Sequence, residues 1–208
     1  MSPGRVIGTG RPMMRGGVLD DLVKGQVCLL GGLGVCLAVM PGCLSANCGM
    51  SDFGVHWRTL VPYVAGCLGA ALYTNRGLRA LAPLLPAPRF VRLAGVSFAI
   101  LLTGVLLTPY TVSDTVHWVH RAFGAALFLH EMVLAVRLLG WRLTGPLPVA
   151  AQAVAGVAAG VCVVLEKGPL VVGQAVFQVT FGLIVIGMAR RLFANPAQTS
   201  PSASTEQT

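Results

Sequence analysis

Six apolar runs divide this chain, and their length constrains its fold more than any other feature. They cover roughly 27–44, 59–75, 91–110, 116–140, 147–166 and 169–190. About 18 or more apolar residues read as a membrane-spanning helix, because about 20 residues rising 1.5 Å each cross the hydrocarbon layer. The backbone of such a segment must satisfy its own hydrogen bonds, which selects helices. Only 11% of the 208 residues are charged, against roughly 25% in soluble domains, and the mean hydropathy is +0.76. The expected fold class is therefore all-α: a polytopic membrane protein built as a six-transmembrane-helix bundle.

Three segments follow from the same pattern. Residues 1–25 form a polar head, 26–193 a single six-helix domain, and 194–208 a tail of disordered composition. A basic head before an apolar run also describes a secretory signal, and "LSANC" is close to a lipoprotein cleavage box. Asn47 stands there before Cys48 where a small residue is needed, and five further spans follow. Retention of the first helix is the better expectation.

Orientation follows from basic residues, which stay on the cytoplasmic side. The head holds Arg5, Arg11, Arg15 and Lys24, and the second-to-third link holds Arg76, Arg79, Arg89 and Arg92. Arg137 and Arg142 follow the fourth span, and Arg190 and Arg191 the sixth, twelve in all. The opposite links hold only Arg58 and Lys167, so both termini are expected to be cytoplasmic in the cell membrane. The basic excess of 15 Lys and Arg over 7 Asp and Glu is thus topological. It forms no patch with interleaved aromatics, so no nucleic-acid partner is expected. Membrane lipids are, together with another membrane protein as a candidate partner.

"TVHWVHRAFGAALFLHE", residues 115–131, is exceptional among the spans because it carries ionisable groups. At about 100° per residue, His117, His120, Arg121, Gly124 and Glu131 fall on one stripe, with His130 apart from it. Charges in lipid cost about 2.5–3.5 kcal/mol at a helix centre, so this stripe is expected to face the bundle interior. Arg121 is near enough to the headgroups to snorkel. Glu131 is not, and needs a partner from another helix, a proton or water. Ser97, Thr103 and Gln152 lie at suitable depths for it. Gln174 and Gln178, one turn apart on the last helix, are placed to approach Arg121 or His120.

The first external loop adds Ser51, Asp52 and His56 to the membrane face that carries Asp114, His117 and His120. Two Asp and three His suit a divalent metal, although no HExxH or comparable motif is present. Cys43 and Cys48 share this side and form a candidate disulfide. The in-span histidines all sit on the fourth helix, which disfavours haem held between helices. No dinucleotide or phosphate-binding fingerprint occurs in a suitable context. No cofactor is called for.

"MSDFG" after the first span, followed by "VHWVHRAFGAALFLHEMV" in the fourth, resembles the Frag/DRAM/Sfk group of six-helix membrane proteins and its bacterial relatives. The matching positions are Ser51, Asp52 and His117, with Phe123 and Phe128 behind. Arg121 and the His130–Glu131 pair fall outside that pattern. The resemblance implies a polytopic protein linked with lipids or membrane organisation, and no catalytic mechanism.

Three readings follow. The first is a non-catalytic envelope or lipid-organising protein. The second is a small proton-coupled transporter in which Glu131 titrates and Arg121 reads an anion. The third is a metal-dependent membrane-surface hydrolase using Asp52, His56, Asp114, His117 and His120. The balance leans away from an enzyme.

Overall fold

A computed structural model describes residues 11–194, with side chains from Gly16 onward. The remainder of the expected head and tail, 1–10 and 195–208, lies outside the described residues. Six long helices follow one another: α1 (Arg11–Val39), α2 (Trp57–Leu81), α3 (Pro88–Leu107), α4 (Asp114–Gly140), α5 (Pro146–Leu165) and α6 (Leu170–Ala194). Short 3-10 turns at Pro41–Leu44, Met50–Gly54 and Ala82–Leu84 occupy the links, and there is no strand among the described residues.

The first helix starts well before the apolar run at 27, so much of the expected polar head is helical. Val18, Leu22, Leu29, Leu33 and Cys36 recur at helical spacing and are all buried, which carries the helix through the charged residues between them. Those charges are paired: Lys24 to Asp20 at 2.8 Å, and Arg76 of α2 to Asp21 at 3.7 Å. The helix also ends earlier than expected, at Val39. Pro41 disfavours a helical conformation at Met40, which takes φ −128° and ψ 64°.

Among the described residues, five of the six helices are long and apolar enough to cross a membrane: α1 from Gly16, and α3 to α6. The exception is α2, which carries Arg58 at one end and Asn75, Arg76 and Arg79 toward the other. Each helix packs on its neighbours in the chain, and α6 closes the ring against α1. The tightest seam joins α1 to α2. A Cβ on Gly32 would stand 2.5 Å from the Pro62 carbonyl oxygen, and one on Gly66 would stand 2.8 Å from that of Cys28. Small residues let backbones approach this closely, which is how helices gain contact where lipid supplies no hydrophobic drive. By contrast, α4 packs loosely on α5 and α6. The space left there forms the site.

Candidate functional site

At the end of the bundle where α1 turns into α2, the Met50–Gly54 turn is fastened on three sides. Asp52 accepts the Gly49 N–H at 2.6 Å through Oδ2 and the Tyr110 hydroxyl through Oδ1. Gln174 of α6 accepts the Met50 N–H at 2.7 Å. Thr59 of α2 donates to the Phe53 carbonyl at 2.8 Å, and the Phe53 ring is fully buried. Burial, and then its bond to Asp52, push the Tyr110 phenol above its ordinary pKa. The Tyr110 ring also meets His117 and His120, with centroids 6.0 and 5.7 Å away. His120 Nδ1 lies 3.3 Å from the Thr108 hydroxyl.

Behind this turn lies a cavity of about 120 Å³ among α1, α2, α3, α4 and α6. Ser51, Gln174 and His120 line it toward the loops, and Glu131 and Gln178 line it deeper in the bundle. Its apolar sides combine Tyr63, Phe98, Phe128 and Phe177 with aliphatic side chains such as Leu29, Leu102 and Leu127. Phe128 and Phe177 stack with centroids 3.8 Å apart. Gly156 of α5 makes room for that stack, because a Cβ there would come 2.1 Å from Phe128 Cζ.

Glu131 has no exposed surface. Gln178 Nε2 donates to its Oε1 at 3.0 Å, while Glu131 Oε2 and Gln178 Oε1 are both buried without a partner among the described residues. A buried acceptor left unmatched costs about 1–3 kcal/mol, more when charged. Gln152 of α5 is also fully buried, with neither amide atom paired. Ser97, Thr103 and Gln152 had the right depth for Glu131, yet Gln178 supplies its bond.

The expected residues thus divide. Ser51, His120, Glu131, Gln174 and Gln178 meet at one cavity. Arg121 does not join them: it is exposed and lies over the Trp118 ring at 5.5 Å. The predicted interior stripe breaks there, because Arg121 sits at the edge of its arc and the Trp118 face gives its cation a partner. Gln174 and Gln178 accordingly turn to Met50 and Glu131 instead of Arg121. His117 is half-buried between Tyr110 and Trp118. His130 donates to the Ala94 carbonyl at 2.9 Å and is not on the lining.

The external set also separates. His56 and Asp114 are exposed, and Asp52 is occupied by Gly49 and Tyr110. Among the described residues, no three His, Cys, Asp or Glu side chains are grouped to hold a metal ion. Asp114 belongs to the first turn of α4, where Ser113 caps the helix by accepting the Val116 N–H at 3.3 Å. Cys43 and Cys48 are free thiols. Burial, and then a hydrogen bond with Cys48, push Cys43 up to about 12. Tyr110, which ties the loop to both histidines, was missed by sequence reasoning. Its only signal there is an aromatic residue closing the third apolar run.

No family model, no curated protein and no solved structure matches the chain. The helices and their apolar lengths support a multi-pass membrane protein, and the cavity is its candidate site.

Proposed function

We propose that this chain is a small proton-coupled carrier of the cell membrane, with Glu131 as the group that exchanges a proton for solute. The observation that carries this reading is the Glu131 carboxyl, buried on a cavity wall with one oxygen held by Gln178 and the other unmatched. Such a group favours a bound proton or a bound ligand, because either supplies the missing partner. Arg121, turned outward onto Trp118, has no part in it.

The proposed topology has six spans with both termini cytoplasmic. Three features support α2 as the sixth. Its 25 residues extend about 37 Å at 1.5 Å each. Its charges lie toward its ends, and Leu60, Val61, Leu68 and Leu72 present an apolar exposed face. The split of twelve basic residues against two supports the orientation. The cavity then faces outward past the Met50–Gly54 turn.

The Frag/DRAM/Sfk resemblance stands as a further proposal, and its two patches are linked through Tyr110. Asp52 bonds Tyr110, and Tyr110 packs on His117. Under that proposal the partners are membrane lipids or another membrane protein.

Reconstitution tests the carrier reading. Proteoliposomes carrying an internal pH dye are offered small cationic, neutral and anionic solutes across a pH gradient. At least one class should move protons in the native chain and none in Glu131→Gln, which keeps the shape of the side chain. If no class moves protons, carriage fails, and a non-catalytic envelope or lipid-organising protein becomes the better description.

A further inference from the structure

The unmatched atoms at the cavity have one polarity. Glu131 Oε2 and Gln178 Oε1 are both buried oxygens able to accept, and the Gln178 nitrogen gives one of its two N–H groups to Glu131. A ligand that completes this site must bring donors. Among the described residues no lysine or arginine lines the cavity, so none of them gives the carboxylate a counter-ion there. Tyr63, Phe98, Phe128 and Phe177 line the same cavity beside aliphatic side chains such as Leu29, Leu102 and Leu127, and aromatic rings attract cations within about 6 Å of the centroid.

We infer that the cavity takes a small organic ammonium ion, with its N–H groups on Glu131 and Gln178 and its alkyl part among the aromatic rings. The inference rests on the carrier reading and names its substrate class. Size limits the choice. A cavity of about 120 Å³ is somewhat smaller than the roughly 150 Å³ apolar cavity that holds benzene, which favours short or branched alkyl chains. An anion would face the Glu131 carboxylate without a cation to meet it. A neutral hydrocarbon would leave both acceptors unmatched.

The exchange balances simply. The Glu131 carboxyl O–H breaks, its proton leaves to water, and the ammonium ion enters with the same charge. Other titratable groups on the lining are His120 from the same helix and Tyr63 and Cys67 from α2; α1, α3 and α6 contribute none. His120 stands toward the loop end, where its protonation would oppose an entering cation, so both groups make binding stronger as pH rises.

The test uses the full chain in lipid nanodiscs and calorimetry with isobutylammonium, isobutanol and isobutyrate. Isobutylammonium should bind saturably, at least tenfold more tightly than either relative. Its affinity should rise from pH 6 to pH 8, with protons released in a buffer-dependent heat. Glu131→Gln should lose at least tenfold, and Phe177→Leu severalfold. If isobutanol or isobutyrate binds as well, or isobutylammonium shows no saturable binding, the inference is overturned. Should Glu131→Gln fail to fold, the three ligands on the native chain still decide. Proton movement driven by an anionic or neutral solute would keep the carrier and discard the ammonium ion. Saturable ammonium binding without flux would do the reverse.

Discussion

Replacing Gly32 by alanine adds one methyl group where α1 and α2 touch. Its carbon would stand 2.5 Å from the Pro62 carbonyl oxygen and 3.0 Å from Gly66 Cα. An ordinary carbon–oxygen contact is about 3.3 Å or more, so the shortfall is about 0.8 Å. Both obstructing atoms are backbone, and no rotamer change removes them. The helices must part, which for overpacking costs about 1–3 kcal/mol. One residue away, Gly31 has nothing within 4 Å. Alanine there removes a poor helix former and gains up to about 1 kcal/mol. The two neighbours should therefore differ by about 1–4 kcal/mol, roughly five- to a thousandfold in the folding equilibrium. Reversible unfolding in mixed micelles at increasing dodecyl sulfate, followed by circular dichroism, measures the difference. Gly66→Ala, with its carbon 2.8 Å from the Cys28 carbonyl oxygen, should resemble Gly32→Ala. The double variant should cost less than the sum, because one separation relieves both contacts. Equal shifts for Gly31→Ala and Gly32→Ala would refute the close seam, and strict additivity would refute the shared separation.

Other outcomes follow from the site. Gly156→Ala should lower the unfolding midpoint by an amount worth about 1–3 kcal/mol, because Phe128 is held against Phe177 on its far side. Gly160→Ala, in open space, is the control and, like Gly31→Ala, should gain up to about 1 kcal/mol. Gln174→Leu leaves the Met50 N–H without its acceptor, a loss of about 1–3 kcal/mol. Amide exchange in the Met50–Gly54 turn should then speed up at least tenfold, and unchanged exchange would deny the tether. Cys43, with its pKa raised to about 12, is protonated at neutral pH. Its alkylation should be very slow and rise about tenfold per pH unit through pH 9. Labelling at pH 7.5 as fast as an ordinary cysteine would contradict that environment.

Much of the architecture was legible because lipid imposes simple demands. Runs of apolar residues at helical length placed the last four helices within a few residues of their ends, and the Pro-rich links separated them. The first helix was misread at its start because an average over Gly16, Gly17, Asp20, Asp21 and Lys24 hides the buried stripe of Val18 and Leu22. The second is amphipathic, so its polar end masks its length. At the site, helical periodicity brought His120, Gly124 and Glu131 to one face correctly but set Arg121 beside them. Angle alone does not show that Trp118, one turn earlier, offers a cation a ring outside the bundle. The bond between Glu131 and Gln178 was obscured by depth. At 1.5 Å per residue, Gln178 is about 12 Å into α6 and Glu131 about 26 Å into α4. Their meeting needs a stagger or tilt between these helices, and counting from the ends of apolar runs carries no such information.

Gln174 and Gln178 sit a single turn apart on α6, one gripping the loop at the mouth and the other the acid at depth. A helix is stiff over one turn, so these grips form two teeth of the same rack. Sliding that rack along its axis strains the latch and the acid together, and mouth and floor are geared through it.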